Sequence, residues 1–398
     1  MNESKLWTRD FIIDTIANFL LLIVHFMPLV TIAVYAADHY QASPGQTGLV
    51  AGIYIIGIVF GRNFAGNFID RTGRKKTLYA GVSFFLITTV LYFAVTNSLI
   101  LLYLVRFLHG ASFGIAATAT STIAANIIPI ARIGEGTGYY TMSTAIASAV
   151  GPFVAMLIIQ KSSFNTILAL ATILMIMCLV IVVFLKVPEV KLTEEQLEAS
   201  KKWSLENIIE TSTVPIAIVA FLMGVAIGPV LQFLSAYVRI IDLVDAGSYF
   251  FLVYALAMVI SRTFTGRWFD KKGENFVMYP SFCLFALGLI TLGLARQGSV
   301  FLLAAVLIGV GYGTFFSSGQ ALIIKLCEKH RTGLAISTFF CFLDSGVGLG
   351  TIILGLLIPL TGYRGIYVCV GVVVLSCIVL YYFLHGKKSN NYNLTAEL

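Results

Sequence analysis

Five ionisable side chains interrupt apolar runs in which charge is rare: Asp14, His25, Arg106, His109 and Asp344. A charge near the centre of a membrane span costs about 2.5–3.5 kcal/mol on insertion scales, so each must face an interior, a wet cavity or a partner. A permanently charged guanidinium at Arg106 can only bias its neighbours. Histidine and carboxyl groups can load and unload a proton, which makes His25, His109 and Asp344 candidates for coupling solute movement to a proton gradient. Asp14, Asn18 and His25 recur at helical spacing on one face; Asp14, close to the end of its run, reads as structural. No nucleophile–base pair or metal-ligand spacing accompanies these residues, so an enzyme is not expected. No Walker loop supports ATP drive, and no cofactor is expected.

A second group of residues is duplicated. Arg62-Asn63-Phe64-Ala65-Gly66-Asn67-Phe68-Ile69-Asp70-Arg71-Thr72-Gly73 recurs as Arg262-Thr263-Phe264-Thr265-Gly266-Arg267-Trp268-Phe269-Asp270-Lys271-Lys272-Gly273. Each copy ends an apolar run with a carboxylate and turns on a glycine. Arg74 and Lys75 extend only the first copy.

The elements that must position these groups follow from hydropathy. The chain has 398 residues, 58% hydrophobic and 11% charged, with mean hydropathy +0.92; soluble domains carry about 25% charged residues. Apolar runs of about 20 residues read as membrane spans. They fall at about 11–36, 47–69, 77–96, 99–127, 136–160, 164–187, 213–238, 246–269, 276–295, 299–324, 332–359 and 363–385. The architecture expected is all-α, with twelve transmembrane helices in two six-helix halves, 1–187 and 212–398, joined by a polar linker at 188–211. Nineteen of the 26 Lys and Arg fall on one side and four (Lys161, Arg239, Arg296, Arg364) on the other. That bias predicts cytoplasmic termini and linker. It also accounts for the net charge of +7: the partner is the anionic inner face of the bilayer and not nucleic acid. The six cysteines are scattered and read as small buried hydrophobes.

Gly66-x-x-x-Asp70-Arg71-x-Gly73-Arg74-Lys75 resembles the signature loop between helices 2 and 3 of the major facilitator superfamily, and Gly266-x-x-x-Asp270-Lys271-x-Gly273 its weaker echo between helices 8 and 9. Leu102-x-x-x-Arg106-x-x-His109-Gly110 is similar to the superfamily's helix 4 motif. Gly151-Pro152 resembles the helix 5 motif of its drug:proton antiporters, although Ala147, Ala155 and Met156 stand where that pattern has glycine. The resemblance implies the major facilitator fold, with pseudo-two-fold halves that rock around a central solute site. It further implies that Asp70 meets the N-terminus of helix 11, and Asp270 that of helix 5, as latches on the cytoplasmic side. A carboxylate there gains up to about 2 kcal/mol when partly buried. Arg71, Arg74 and Lys75 are then expected to face lipid head groups or nearby acids. Arg106 acquires a role in proton coupling or in sensing substrate charge.

The implied cavity lies among helices 1, 4, 7 and 10. Phe113, Gln232, Tyr312, Phe316 and Gln320 are its candidate lining, beside His25 and His109. Gly224, Gly228 and Gln232 follow at spacing four, as do Tyr312, Phe316 and Gln320. This mixture suits a moderately apolar or cationic organic solute. The reading is a monomeric multi-pass transporter of the cell (inner) membrane, coupling proton entry to efflux of small organic or drug-like compounds. Uptake of a nutrient such as a sugar or organic acid is the rival direction, and a non-transporting membrane sensor the rival class.

Overall fold

The computed structural model describes residues 5–95, 98–187, 192–201 and 207–387. Helices dominate, and no strand occurs among the described residues. Six long helices come first: α1 (Arg9–Tyr40), α2 (Pro44–Thr72), α3 (Arg74–Leu91), α4 (Leu99–Ile127), α5 (Ile133–Lys161) and α6 (Phe164–Val183). After a short α7 (Glu194–Lys201) come α8 (Val214–Ile240), α9 (Val244–Lys272), α10 (Glu274–Leu294), α11 (Gly298–Leu326) and α12 (Thr332–Tyr381). Helix is the form a chain takes in hydrocarbon, because it satisfies its own backbone.

Eleven continuous helical stretches among the described residues are long and apolar enough to cross a bilayer. The last, Lys329–Gly386, has 58 residues. At about 1.5 Å per residue that is about 87 Å, far beyond a hydrocarbon core of about 30 Å. The chain breaks it at Gly362, where φ 66 and ψ 170 leave the helical region. α12 therefore supplies two spans, and the described residues hold twelve. Of the predicted linker, Glu194, Glu195 and Glu198 lie on α7, while residues 188–191 and 202–206, including Lys202, lie outside the described residues. So do both chain ends.

Helix starts and stops are written locally. Thr8 caps α1 through the Phe11 N–H (3.2 Å). Ser43 and Gln46 form a reciprocal capping box on α2, with Pro44 at its first turn. Ser98 caps α4. The α2–α3 and α9–α10 turns each pivot on one glycine at positive φ, Gly73 (95°) and Gly273 (82°). That region is open to glycine with little strain.

Two compact units emerge from the packing. Unit 1 comprises residues 1–129, 146–210 and 327–341. Its tightest seam is α2 on α4, where a Cβ at Gly57 or Gly61 would strike the Phe107 or Ala111 carbonyl, and one at Gly110 or Gly114 those of Tyr54 or Ile58. Small residues let the backbones meet where no aqueous hydrophobic drive operates. Unit 2 comprises residues 130–145, 211–326 and 342–398. There α8 meets α12 in the same way, through Gly224 against Leu343 and Gly346 against Phe221. The units are not contiguous in sequence: the first half of α5 belongs to unit 2, and the start of α12 to unit 1.

Candidate functional site

The duplicated turns hold two carboxylates on two helix starts. In unit 2, Asp270 Oδ1 accepts the Gly134 N–H (2.7 Å) and Oδ2 accepts the Glu135 N–H (2.9 Å). The first turn of α5 thus gives two of its orphan donors to one carboxylate. Gly266 makes this approach feasible, since a Cβ there would sit 2.6 Å from the Gly134 carbonyl oxygen. Glu135 in turn pairs with Arg132 (2.6 Å) and Arg267 (2.9 Å). In unit 1, Asp70 accepts the Gly333 N–H at the start of α12. It also pairs with Arg74 Nη2 at 3.2 Å, and the same nitrogen donates to the Lys329 carbonyl at 3.1 Å. Ser337 Oγ donates to the Arg62 carbonyl (2.7 Å), directly opposite Gly66.

Of the three basic residues around Asp70, Arg71 and Lys75 are placed otherwise than expected. Arg71 folds back on the Asn67 carbonyl (2.9 and 3.1 Å), and Lys75 donates to the Leu185 and Val183 carbonyls at the end of α6 (2.6 and 3.3 Å). Both satisfy backbone carbonyls, and it is Arg74 that pairs with the acid of the turn.

Within the spans of unit 1 a polar cluster surrounds Arg106. The guanidinium is 1% exposed. Nε donates to the Val50 carbonyl (3.0 Å) and Nη1 to the Tyr92 hydroxyl (3.4 Å), and the group lies 4.1 Å over the Tyr54 ring. No carboxylate pairs with it among the described residues, and Nη2 is buried without an acceptor. His109 Nδ1 lies 3.4 Å from the Tyr92 hydroxyl and Nε2 3.2 Å from Thr89 Oγ1. His25 Nδ1 lies 2.7 Å from the Tyr54 hydroxyl. Its ring stacks on Phe113 at 4.2 Å and 13°. Arg106, His109 and His25 are thereby gathered around two tyrosines. The helical face shared by Asp14, Asn18 and His25 divides three ways: Asn18 takes the Thr120 hydroxyl of α4 (3.2 Å), Asp14 is fully buried within electrostatic reach of Cys178 on α6, and His25 meets α2.

In unit 2, Asp344 is half-buried, within electrostatic reach of the Tyr312 hydroxyl, which also feels Tyr254 and Arg262. Arg262 donates through Nη1 to the Thr141 carbonyl of α5 and lies 5.9 Å from the Phe316 ring centroid. Tyr312 and Phe316 pack 6.1 Å apart, and Gln320 is buried. Gln232 is exposed, while Gly224 and Gly228, two turns and one turn before it, are packed against α12 at Leu343 and Thr351. Their spacing is a packing stripe. In unit 1, Gly151 lets α5 approach α1, since a Cβ there would meet Phe26 Cβ at 2.9 Å. Pro152 lies inside α5. Ala147 and Ala155 are fully buried and Met156 is 46% exposed.

Tyr54, Tyr92, Gly134 and Gly333 were not singled out from the sequence. A buried tyrosine hydroxyl needs a partner, which is the signal that could have found the first two. For the others, Arg132-Ile133-Gly134 and Arg331-Thr332-Gly333 recur at an offset of 199 residues.

A twelve-span helical protein, with a duplicated carboxylate turn seated on two helix starts and ionisable clusters inside its spans, is a polytopic membrane carrier in architecture. The family model of the Major Facilitator Superfamily matches residues 15–296 and 243–397, and the chain belongs to that family. It is 24% identical over 349 residues to an uncharacterized MFS-type transporter of Methanocaldococcus jannaschii, covering 82% of this chain and 87% of that one. It is 28% identical over 173 residues to the multidrug resistance protein MdtG of Salmonella dublin, covering 42% of each chain. Its fold resembles that of the proton:xylose symporter XylE, with a TM-score of 0.78 at 14% identity over 96% of both chains.

Proposed function

We propose that this transporter is a secondary active exporter of small organic, drug-like compounds, driven by proton entry through alternating access. The similarity to MdtG over 42% of the chain supports efflux. The fold is shared with a sugar symporter and does not separate export from uptake. The observation that carries the mechanism is the pair of carboxylates on helix starts. Asp70 on α12 and Asp270 on α5 act as two latches on the cytoplasmic side, and the positive-inside bias supports a cytoplasmic location for that side, the termini and the linker.

Coupling falls to the clusters within the spans. In unit 1, Arg106 holds its charge against the face of Tyr54 and the hydroxyl of Tyr92, and the hydroxyls of these two tyrosines meet His25 and His109 respectively. In unit 2, Asp344 is a half-buried carboxyl of the spans within electrostatic reach of Tyr312, one of the candidate lining residues. In unit 2, Asp344 binds and releases the coupled proton, with Tyr312, Phe316 and Gln320 as the candidate solute contacts. In unit 1, Arg106 sets the charge balance of the cluster that includes His25, whose ring stacks on Phe113.

The test is transport in proteoliposomes under an imposed pH gradient, beside solute exchange without one. Asp344→Asn is expected to abolish gradient-driven movement while exchange persists. Full gradient-driven transport by Asp344→Asn would transfer the proton to His109 or His25. Counterflow in inside-out against right-side-out vesicles decides direction, and accumulation from the outside would replace export with uptake.

A further inference from the structure

The end of unit 1 opposite the Asp70 turn holds a cavity of about 560 Å³ that the coupling scheme does not use. It is formed where α1 ends, α3 gives way to the 3₁₀ turn Tyr92–Ala94, α5 finishes and α6 begins. Its volume lies within the roughly 300–1,000 Å³ usual for pockets that hold drug-sized ligands. The wall is aromatic: Tyr35 stacks on His39 at 5.1 Å and 11° and on Phe164 at 4.3 Å and 20°. Tyr92 and Met156 also line it. Asp38 is its one acid, and no lysine or arginine lines it among the described residues. The Asp38 carboxylate is exposed and has no hydrogen-bond or ion-pair partner among the described residues.

We infer that this cavity is a second solute-binding site, selective for amphipathic aromatic cations. Ring faces attract a cation through their quadrupoles, and Asp38 supplies the one formal charge among the lining residues. Apolar substituents fill the remaining volume against Met156 and Phe164. Tyr92 lines this cavity, and its hydroxyl belongs to the Arg106–His109 cluster. A cation seated here is separated from the Arg106 charge by that tyrosine, so occupancy is felt by the coupling cluster without direct contact. The site deepens the export reading by placing a binding step on the non-cytoplasmic side, and it rests on that reading only for its direction.

The experiment uses the full chain, purified in detergent, with radiolabelled tetraphenylphosphonium as probe and tetraphenylborate as its anionic counterpart of the same shape. Asp38→Asn is expected to weaken tetraphenylphosphonium binding about fivefold, the size of one exposed charge pair. Tyr35→Ala is expected to weaken it about tenfold through a lost ring face. In a cysteine-free background, tetraphenylphosphonium should protect Met156→Cys from maleimide, and tetraphenylborate should not. Equal protection by both ions would make the cavity a plain apolar crevice and overturn the inference. So would binding that Asp38→Asn leaves unchanged, or that gives no protection at Met156→Cys. These outcomes are independent of the transport reading, which fails only if proteoliposomes show no gradient-driven solute movement.

Discussion

The two copies of the turn between paired helices, around Asp70 and around Asp270, keep one geometry and change its chemistry. Both close on a glycine at positive φ, and both seat a carboxylate on a helix start. Around Asp270, two backbone amides hold the carboxylate at 2.7 and 2.9 Å. Around Asp70, a buried guanidinium is added: Arg74, 1% exposed, bridges the carboxylate and the Lys329 carbonyl. Glu274 stands at the corresponding place in the second copy and turns instead to Lys325 (3.5 Å) and His385 (3.3 Å). The next position shows the same kind of exchange. Lys75 ties its turn to the end of α6, and Asn275 ties its own to the Gly386 carbonyl (3.0 Å) after α12. Duplication preserved the backbone-to-carboxylate contact and the anchoring of each turn, and left the side chains that deliver them free to diverge.

The comparison can be broken most severely at Arg74. Arg74→Glu sets a second carboxylate against Asp70 in a buried site, and breaking a buried pair costs about 3–5 kcal/mol. Transport should be lost, and the melting temperature of the detergent-solubilised protein should fall by several degrees. Asp70→Asn comes next. It removes the charge, keeps the shape and leaves Arg74 buried without its acid. Transport is expected to fall by about tenfold or more, the roughly 1.4 kcal/mol that a tenfold change represents being well inside the energy of such a pair. Maleimide labelling of Leu334→Cys, at the start of α12, should rise. Wild-type transport with unchanged labelling would remove the latch.

Asp270→Asn should be milder, a few-fold in transport, because no buried cation is stranded. Here labelling of Ile133→Cys at the start of α5 is the measurement. An effect equal to that of Asp70→Asn would show that the amide contacts, and not Arg74, carry the energy. The smallest effect is expected from Gly73→Ala and Gly273→Ala. Each places a Cβ in an extended region at positive φ that is essentially glycine's alone, for about 1–3 kcal/mol, read as matched losses of thermal stability and not of transport. A marked difference between them would separate two turns whose backbones look alike.

The spans were legible because each is a run of apolar residues, and lipid leaves helix as the one local solution for them. Their ends were less so: hydropathy stops near Ala36, while α1 continues to Tyr40, since a helix beyond the hydrocarbon answers to caps and not to lipid. The duplicated Asp turns could be read from the glycine spacing alone. The helix starts they meet were implied only by the family resemblance, and the individual donors could not be read from residue types, because those contacts are made by backbone N–H groups, which every residue but proline carries; the fold brings the Gly134 N–H to Asp270. The cluster around Arg106 shows the same division. The cost of an arginine in a span announced that something must answer it, but the answer came from a carbonyl on α2, a hydroxyl beyond α3 and the face of Tyr54, groups with no charge to betray them.

Composition, the length of the apolar runs and the 200-residue repeat were sufficient by themselves for twelve spans in two halves, and the family followed from the resemblance of the Gly66–Lys75 loop to a known signature. They are one-dimensional signals set by the solvent and by duplication. Tertiary structure alone decided that the first half of α5 packs with unit 2 and the start of α12 with unit 1, that Gly224 and Gly228 serve packing, and that His25 and His109 gather around tyrosines with Arg106. Such choices depend on which helix faces meet. Small residues settle that by letting backbones approach, and a glycine reads the same in sequence whichever neighbour it admits.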